Sequence, residues 1–306
     1  MLRPIVRPVV GPLVRRVTDL GYGGWSPLAL FASGEQGALY DYDPSDLSTL
    51  YQDSVGTTPV TALGQPVGLM LDKRKGLARG AERVTNGDFS DGETGWSIIT
   101  TGANSITIAD GAIHFQTTGA DAANAGTVAS LTLGMFLEVS FEVLSGSTGK
   151  LKVLPFGPSG EITFTCTPGI KTFRVATGSA GAIFMLSRVV GQVADARITN
   201  ISVRELPGNH ASQPTSAARP IYAAGAKIDF DAVDDKLTTT FPDLGSNVTI
   251  ARSIPGVGAS ILTGQTIGAG AWDDSTDHCG LLIIDRALTA AETALVTAYL
   301  NRKAGV

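Results

Sequence analysis

Short segments in which apolar and polar residues alternate dominate the middle of the chain. Examples are "SITIADGAIHFQTT", "LEVSFEVLSG" and "ARITNISVREL", and glycine, proline, serine or asparagine separates such segments. Alternation with a period of two is typical of a strand that buries one face. Roughly eight or nine such segments occur in about 125 residues without a helical period, which predicts an antiparallel β-sandwich or jelly roll.

A different pattern ends the chain, in "LLIIDRALTAAETALVTAYLNRKAGV". Its apolar start predicts a buried strand, and the remainder predicts a helix. Thr289 and Glu292 have the spacing of a capping box, which begins a helix. Gly305 suits the left-handed residue that closes one. The apolar face of this helix is expected to carry Leu288, Ala291, Leu295, Val296, Tyr299 and Leu300.

The first segment, residues 2–16, reads "LRPIVRPVVGPLVRR". A proline at every fourth position excludes a helix and favours an extended arm. Prolines and arginines also interrupt the apolar run that a signal peptide needs, so we expect no signal peptide. Valine and leucine are unusual in a solvated tail, which favours an assembly arm that docks on another chain over a frayed terminus. The residues assigned to docking are Arg3, Val6, Arg7, Val10, Val14, Arg15 and Arg16.

Composition and charge argue against several partners and fold classes: a nucleic-acid partner, a membrane partner and a disulfide-rich fold are not expected. The chain has 306 residues and a formal net charge of −5, so nucleic acid is not expected as its main partner. No apolar run reaches the length of a membrane span, so we expect no membrane partner. Its 37 glycines suit a sandwich with many tight turns. Cys166 and Cys279 are too few for a disulfide framework.

One stretch carries a family resemblance. "NGDFSDGETGW", with "ITNISVRE" about a hundred residues later, resembles the carbohydrate-binding-module-like jelly rolls found in glycosidases and phage proteins. That resemblance implies a structural calcium held by carboxylates near these ends, although no cofactor is required. The candidate ligands are Asp88, Asp91 and Glu93. Thr199 stands where the family's pattern ends in an aspartate.

Three other stretches resemble successive parts of a laminin-G or concanavalin-like lectin domain. They begin at "LYDYDPSDLSTLYQDSVGT", "GNHASQPTSAARPIY" and "KIDFDAVDDKLTTTF". The turn that joins the first two parts in that family is interrupted here, because "LDKRKG" ends at Gly76 and "GNHASQ" resumes at Gly208. The resemblance therefore implies that a jelly roll is inserted at an exposed loop, where insertions are well tolerated.

The predicted fold class is all-β, with two β-sandwich or jelly-roll domains, an extended N-terminal arm and a short C-terminal helix. The arm and its linker are predicted over residues 1–35. The lectin-like sandwich is predicted to be discontinuous, from 36–78 and 207–306, and the jelly roll occupies 79–206.

Aromatic side chains matter because their faces stack on the apolar faces of sugars. Trp272 lies between polar turn residues and is the better candidate for an exposed glycan-binding residue. Trp96 is a second candidate, with a core position as the favoured alternative. The chain shows no nucleophile elbow, phosphate loop or zinc spacing, and its many carboxylates lie mostly in turns. We therefore expect a protein that is not an enzyme, with no catalytic residues.

The order of these parts, with the proline–arginine start, resembles virion proteins of tailed bacteriophages and prophages. The resemblance implies a structural protein of the virion, assembled in the bacterial cytoplasm, that serves as a tail-fibre or appendage adhesin. Its implied partners are other virion proteins through residues 2–16, a host-surface glycan, and further copies of the chain, with a trimer favoured. A head-decoration or collar protein competes with this interpretation. An accessory module of a secreted carbohydrate-degrading enzyme is a weaker alternative.

Overall fold

The computed structural model describes residues 25–154, 161–178 and 181–306, so the assembly arm of residues 2–16 lies outside the described part. No helix among the described residues is both long and apolar enough to cross a membrane. The strands in chain order are β1 Gly37–Tyr40, β2 Leu50–Tyr51, β3 Leu69–Met70, β4 Trp96–Thr100, β5 Ser105–Ala109, β6 Ala112–Thr117, β7 Ala123–Leu131, β8 Phe136–Val143, β9 Thr148–Leu154, β10 Ile162–Thr165, β11 Gly169–Ala176, β12 Gly181–Arg188, β13 Ala194–Glu205, β14 Ala211–Ser212, β15 Ile221–Ala223, β16 Lys227–Asp229, β17 Leu237–Phe241, β18 Gly245–Ile254, β19 Gly258–Ile267, β20 Gly270–Asp274 and β21 Leu281–Ile284.

The middle segment, residues 79–206, contains β4 to β13. Its strands are antiparallel and form two layers, β5-β6-β13-β8-β11 and β10-β9-β12-β7-β4, which connect where β9 pairs with both β12 and β13. Alternate residues enter one core. Along β8, for example, Leu137, Val139, Phe141 and Val143 are buried and the residues between them are not. The period-two pattern therefore predicted this sandwich correctly.

The flanking segments, residues 36–78 and 207–306, form a four-stranded sheet, β1-β21-β18-β19, and a five-stranded sheet, β2-β3-β14-β17-β20. The two sheets share one core, to which Tyr40, Met70, Phe241 and Leu281 contribute. Strands from both sides of the middle segment pair directly, because β1 pairs with β21 and β3 with β14. A discontinuous domain requires such pairing, and its boundaries stay a prediction.

One α-helix, α1 Ala290–Ala304, packs on the outer face of the four-stranded sheet through Val296 and Leu300. The capping box is confirmed: Thr289 Oγ1 accepts the Glu292 amide at 3.2 Å, and the Glu292 carboxylate accepts the Thr289 amide at 2.8 Å. Gly305 closes the helix with a φ of 79°. The all-β class with a short C-terminal helix is thus confirmed.

The last part of the segment predicted as a linker up to residue 35 packs in the same cluster as α1, and the boundary of the linker stays a prediction. Pro27–Phe31 forms a short 3₁₀ helix whose Leu30 and Phe31 are buried beside α1. Trp25 meets the Tyr299 ring edge to face at 6.1 Å. Glycine and proline suggested a hinge, but burial of the apolar residues among them outweighs that local tendency.

Candidate functional site

One row of outward-facing residues crosses the whole five-stranded sheet. The register of its strands aligns Tyr51, Leu69, Ser212, Thr238 and Asp273 in that order. Residues paired across neighbouring strands share a face of the sheet. The row therefore changes along its length from apolar to polar, which divides this face into two parts.

The middle segment covers the apolar end of this row. Tyr51 and Leu69 are buried in a cluster with Leu206. Arg174 of β11 holds the contact, since its guanidinium lies 4.8 Å from the Tyr51 ring centroid and donates to the Gly56 carbonyl at 3.1 Å. Gly56 has a φ of 64°, and a Cβ there would lie 2.8 Å from the Arg174 Cβ. These contacts fix the two sandwiches against each other.

Beyond that cover, a cleft of about 410 Å³ opens between the two sandwiches. The sheet supplies one wall, and the start of β8 and the end of β11 supply the other. None of the lining residues is an aspartate, glutamate, lysine or arginine. The polar side chains in the lining are Ser54, Thr177, Asn209, His210, Ser212, Thr238 and Thr240.

Ser212 and Thr240 carry two of the three hydroxyls in this inter-sandwich cleft that are available to a ligand, and Ser54 carries the third. Ser212 and Thr240 make no side-chain hydrogen bond to another described residue, whereas Thr238 Oγ1 donates to Asp273 Oδ1 at 2.6 Å. Thr240 is exposed and Ser212 is half-buried. Both therefore can donate and accept hydrogen bonds in the cleft.

An aromatic pair lies at the back of the cleft. The rings of Phe136 and His210 have centroids 4.2 Å apart and are tilted by 44°. His210 Nδ1 accepts the Asp72 amide at 3.0 Å, and its Nε2 lies 3.0 Å from the Leu206 carbonyl, to which it donates. These bonds fix the tautomer, and burial lowers the pKa of His210, so the ring stays neutral at neutral pH.

The buried Asp72 carboxylate organises this corner. Its Oδ1 accepts the Leu39 and Arg74 amides at 2.8 Å each, and its Oδ2 accepts the Asn209 amide at 2.8 Å. The two halves of the interrupted turn, "LDKRKG" and "GNHASQ", meet here, because Asp72 comes from the first stretch and Asn209 from the second. No role for His210 followed from the sequence, although its place beside the interruption was a usable signal.

Trp96 lies in the core of the middle sandwich, and its glycan-binding role stays a prediction that this position does not favour. It is 9% exposed and packs against Phe89 and Phe184 at centroid distances of 5.1 and 6.4 Å. Its Nε1 donates to the Asn86 carbonyl at 3.1 Å. The favoured core alternative describes it, because a ring enclosed on β4 offers no face to a sugar.

Trp272 is half-buried on β20 rather than displayed on a turn. It lies opposite Thr239, on the inner face of the five-stranded sheet, and meets the Phe241 ring edge to face at 6.1 Å. The Arg252 guanidinium lies 5.6 Å from its centroid. The Trp272 ring therefore lies at the edge of the core. Its glycan-binding role stays a prediction, and Trp272 does not line the inter-sandwich cleft.

Asp88, Asp91 and Glu93 are exposed and do not gather as a group of three ligands. Asp88 Oδ1 accepts the Ser90 amide and hydroxyl at 3.2 and 3.0 Å. The Thr199 hydroxyl donates to the Gly111 carbonyl at 2.6 Å. Calcium binding stays a prediction, and calorimetric titration of calcium into the protein tests it.

Among the described residues, one group of three acidic side chains has its ligand atoms within 4.8 Å of one another: Asp231, Asp234 and Asp235. A local loop accounts for this group. Asp231 Oδ1 accepts the amides of Val233, Asp234 and Asp235 at 2.9 to 3.2 Å. Aspartate side chains commonly accept such hydrogen bonds from backbone amides in turns.

No model of a protein family matches the sequence, and no curated protein matches it. Solved structures give partial similarities. One is the enzymatically active domain of tailspike protein 4 of bacteriophage CBA120, with 16% identity and a TM-score of 0.31 over 40% of this chain and 21% of that chain. A mutant carbohydrate-binding module of family 29 has 12% identity and a TM-score of 0.30 over 40% of this chain and 89% of that one. A structure described as a family 4 carbohydrate-binding module has 14% identity and a TM-score of 0.29 over 39% and 99%.

This chain thus spans about a fifth of the length of the tailspike domain.

Proposed function

We propose that this protein binds uncharged glycans, without catalysis, in the cleft between its two sandwiches. The observation that carries the proposal is the lining: free hydroxyls at Ser212 and Thr240 beside the Phe136 ring, with no charged side chain. A sugar presents hydroxyls to polar groups and an apolar ring face to an aromatic residue. A glycosidase needs two carboxylic acids at its cleft, and none lines this one.

The fixed contact between the sandwiches supports binding. Arg174 of the middle sandwich donates to the Gly56 carbonyl of the flanking one, and Glu138 on the neighbouring strand holds it there, with its Oε2 2.9 Å from Arg174 Nη2. Because the cleft walls are held apart before a ligand arrives, little conformational entropy is lost on binding. A shallow site of this size binds weakly alone, and several copies on one particle would supply avidity.

A glycan array with neutral and acidic oligosaccharides tests the proposal, followed by calorimetry with the best neutral ligand. Phe136→Ala should weaken binding about tenfold. Thr240→Val, which removes only an unpartnered hydroxyl, should weaken it about fivefold without changing the melting temperature. Thr107→Val on the exposed β5 is the matched control. If the valine variants at 240 and 107 bind alike, the cleft is not the site.

We further propose that the protein is a virion appendage that displays this cleft to the host surface. The support is the sequence resemblance to tailed-phage virion proteins and the apolar, basic segment at residues 2–16. In this proposal the segment docks on other virion proteins, and the chain forms a homo-oligomer, with a trimer favoured. Sedimentation of the full chain tests the oligomeric state.

The arm has its own test. Val6, Val10 and Val14 to serine should prevent incorporation into particles, because buried apolar surface contributes roughly 25 cal/mol per Å². Arg3→Gln with Arg7→Gln should weaken incorporation modestly, since exposed ion pairs contribute about 0–1 kcal/mol each. Normal incorporation of a chain lacking residues 2–16 would contradict the proposal. Incorporation without any glycan binding would favour a decoration or collar protein instead.

A further inference from the structure

A second concavity lies on the flanking segments, away from the inter-sandwich cleft. It has a volume of about 760 Å³, and we call it the helix-end bowl. Five parts of the chain form its walls: the loop after β1, the turn at residues 61–63, the β15–β16 hairpin, Cys279 before β21 and the end of α1. Its size is within the range of small-molecule sites, and its lining differs chemically from that of the cleft.

Tyr222 in this bowl carries a hydroxyl that the fold does not use. The residue is 4% exposed and meets the Tyr42 ring edge to face at 6.4 Å. Its hydroxyl has no hydrogen-bond partner among the described residues, whereas the Tyr42 hydroxyl donates to the His278 carbonyl at 2.5 Å. Burial, with the nearby Asp43 carboxylate, raises the pKa of Tyr222, so the phenol stays a neutral donor.

Two cations and one anion line the same bowl. Lys303 Nζ is held by Asp41 Oδ1 and the Tyr42 carbonyl, each at 2.5 Å, which leaves one of its three donors. Arg302 is exposed beside it. Asp43 is the anion, and its Oδ1 already accepts the Ser45 amide at 2.8 Å. The lining thus offers more donors than acceptors to a ligand.

The rim of the bowl is apolar and held in place. Gln65 Oε1 accepts the amides of Thr61 and Ala62 at 2.7 and 3.0 Å, and the Gly64 amide donates to the Tyr222 carbonyl at 2.7 Å. This turn keeps Leu63 60% exposed at the edge. An exposed leucine fixed beside an unpartnered hydroxyl presents both an apolar and a polar contact to one ligand.

We propose that the helix-end bowl binds an acidic sugar, such as a hexuronic acid unit of a glycan. Its carboxylate accepts hydrogen bonds from Tyr222 and the remaining Lys303 donor, and the charge of Arg302 attracts it over a longer distance. Its apolar ring face lies against Leu63, and its hydroxyls donate to Asp43. A charged acceptor in this sheltered position makes stronger hydrogen bonds than a neutral one. The site is independent of the cleft, whose lining is uncharged.

Saturation-transfer NMR of the full chain with a methyl hexuronide and the matching methyl hexoside tests the proposal. The acid should bind at least about tenfold more tightly, and increasing salt should weaken it. Tyr222→Phe should weaken the acid about tenfold at an unchanged melting temperature, because no protein partner is lost. Arg302→Gln should weaken the acid and reduce its salt dependence. Phe136→Ala, in the cleft, should leave hexuronide binding unchanged.

Three results would overturn the inference. Equal binding of the two glycosides would exclude an acidic ligand, and no effect of Tyr222→Phe would place any hexuronide site elsewhere. Absence of hexuronide binding would reject the site. Neutral glycan binding that Phe136→Ala weakens would still support the cleft, so failure of one proposal is distinguishable from failure of the other.

Discussion

The cores of the two sandwiches differ in whether they bury ionisable side chains. In the middle segment, every buried polar side chain among the described residues is a hydroxyl or an amide: Asn104, Thr117, Thr127, Ser147, Thr177, Ser187 and Thr199. The flanking segments bury Asp72, His210, Asp274 and His278 as well. The first core therefore depends on apolar volume, and the second depends also on keeping its charges paired.

Asp274 is the centre of the charged group in the flanking core. Its Oδ1 lies 2.8 Å from Arg252 Nη2, and its Oδ2 lies 3.0 Å from His278 Nε2. Burial alone would raise the pKa of Asp274, but His278 and Arg252 together lower it. The Asp274 carboxylate thus stays charged inside the protein, because its partners offset the desolvation cost of burying it.

Excision of the middle segment should have the largest effect, and it tests whether the flanking sandwich folds without the middle one. We expect that joining Gly76 directly to Gly208 leaves a folded β-protein, because β3 pairs with β14 and β1 with β21 without it. Stability should fall, since Tyr51 and Leu69 lose their cover. Circular dichroism and cooperative urea unfolding measure this. An unfolded product, under conditions where residues 81–206 alone fold, would reject the discontinuous domain.

Asp274→Asn should cost about 3–5 kcal/mol of unfolding free energy, because it leaves the partly buried Arg252 without its counter-charge. Hydrogen exchange read by mass spectrometry should show the loss in β17 to β20 first. Leu137→Ala in the middle core is the matched control and should cost about 2–5 kcal/mol through a cavity in β8. Equal loss of protection in both sandwiches, for either variant, would mean that they unfold as one unit.

A fall in pH should destabilise the flanking core more than the middle core, without any mutation. Burial lowers the pKa of His210 from its ordinary value of 6.5, so the unfolded chain takes up a proton that the folded chain refuses. The stability from this group is complete above about pH 6.5 and is lost as pH falls below it. Urea unfolding from pH 7 to 5 measures the slope. His210→Gln should flatten it.

The smallest expected effect is at the helix. Thr289→Ala should cost about 1 kcal/mol, with exchange changes confined to α1. Arg286 and the Thr289 amide lower the pKa of Glu292 from 4.5 to about 2. That contribution is complete above about pH 4.5 and is lost as pH falls towards 2. Ser26→Ala, at the cap of the 3₁₀ helix, is the control and should leave α1 protection unchanged.

Much of the secondary structure followed from local pattern. Alternation gave β8 because Leu137, Val139, Phe141 and Val143 must face one way in any strand. The capping box gave the start of α1 because Thr289 and Glu292 satisfy amides that no other part of a helix can. Each of these signals acts between residues close in the chain, so it can be read without the fold.

The candidate sites depended on tertiary structure. The row from Tyr51 to Asp273 joins five strands, and no local pattern states which strands are neighbours. The burial of Trp96, and the half-burial of Trp272, also depend on packing between distant segments. The same holds for Tyr222, because its surroundings and not its sequence decide that its hydroxyl has no partner among the described residues. Sequence determined which faces are apolar, and register and packing decided which polar groups remained free to bind.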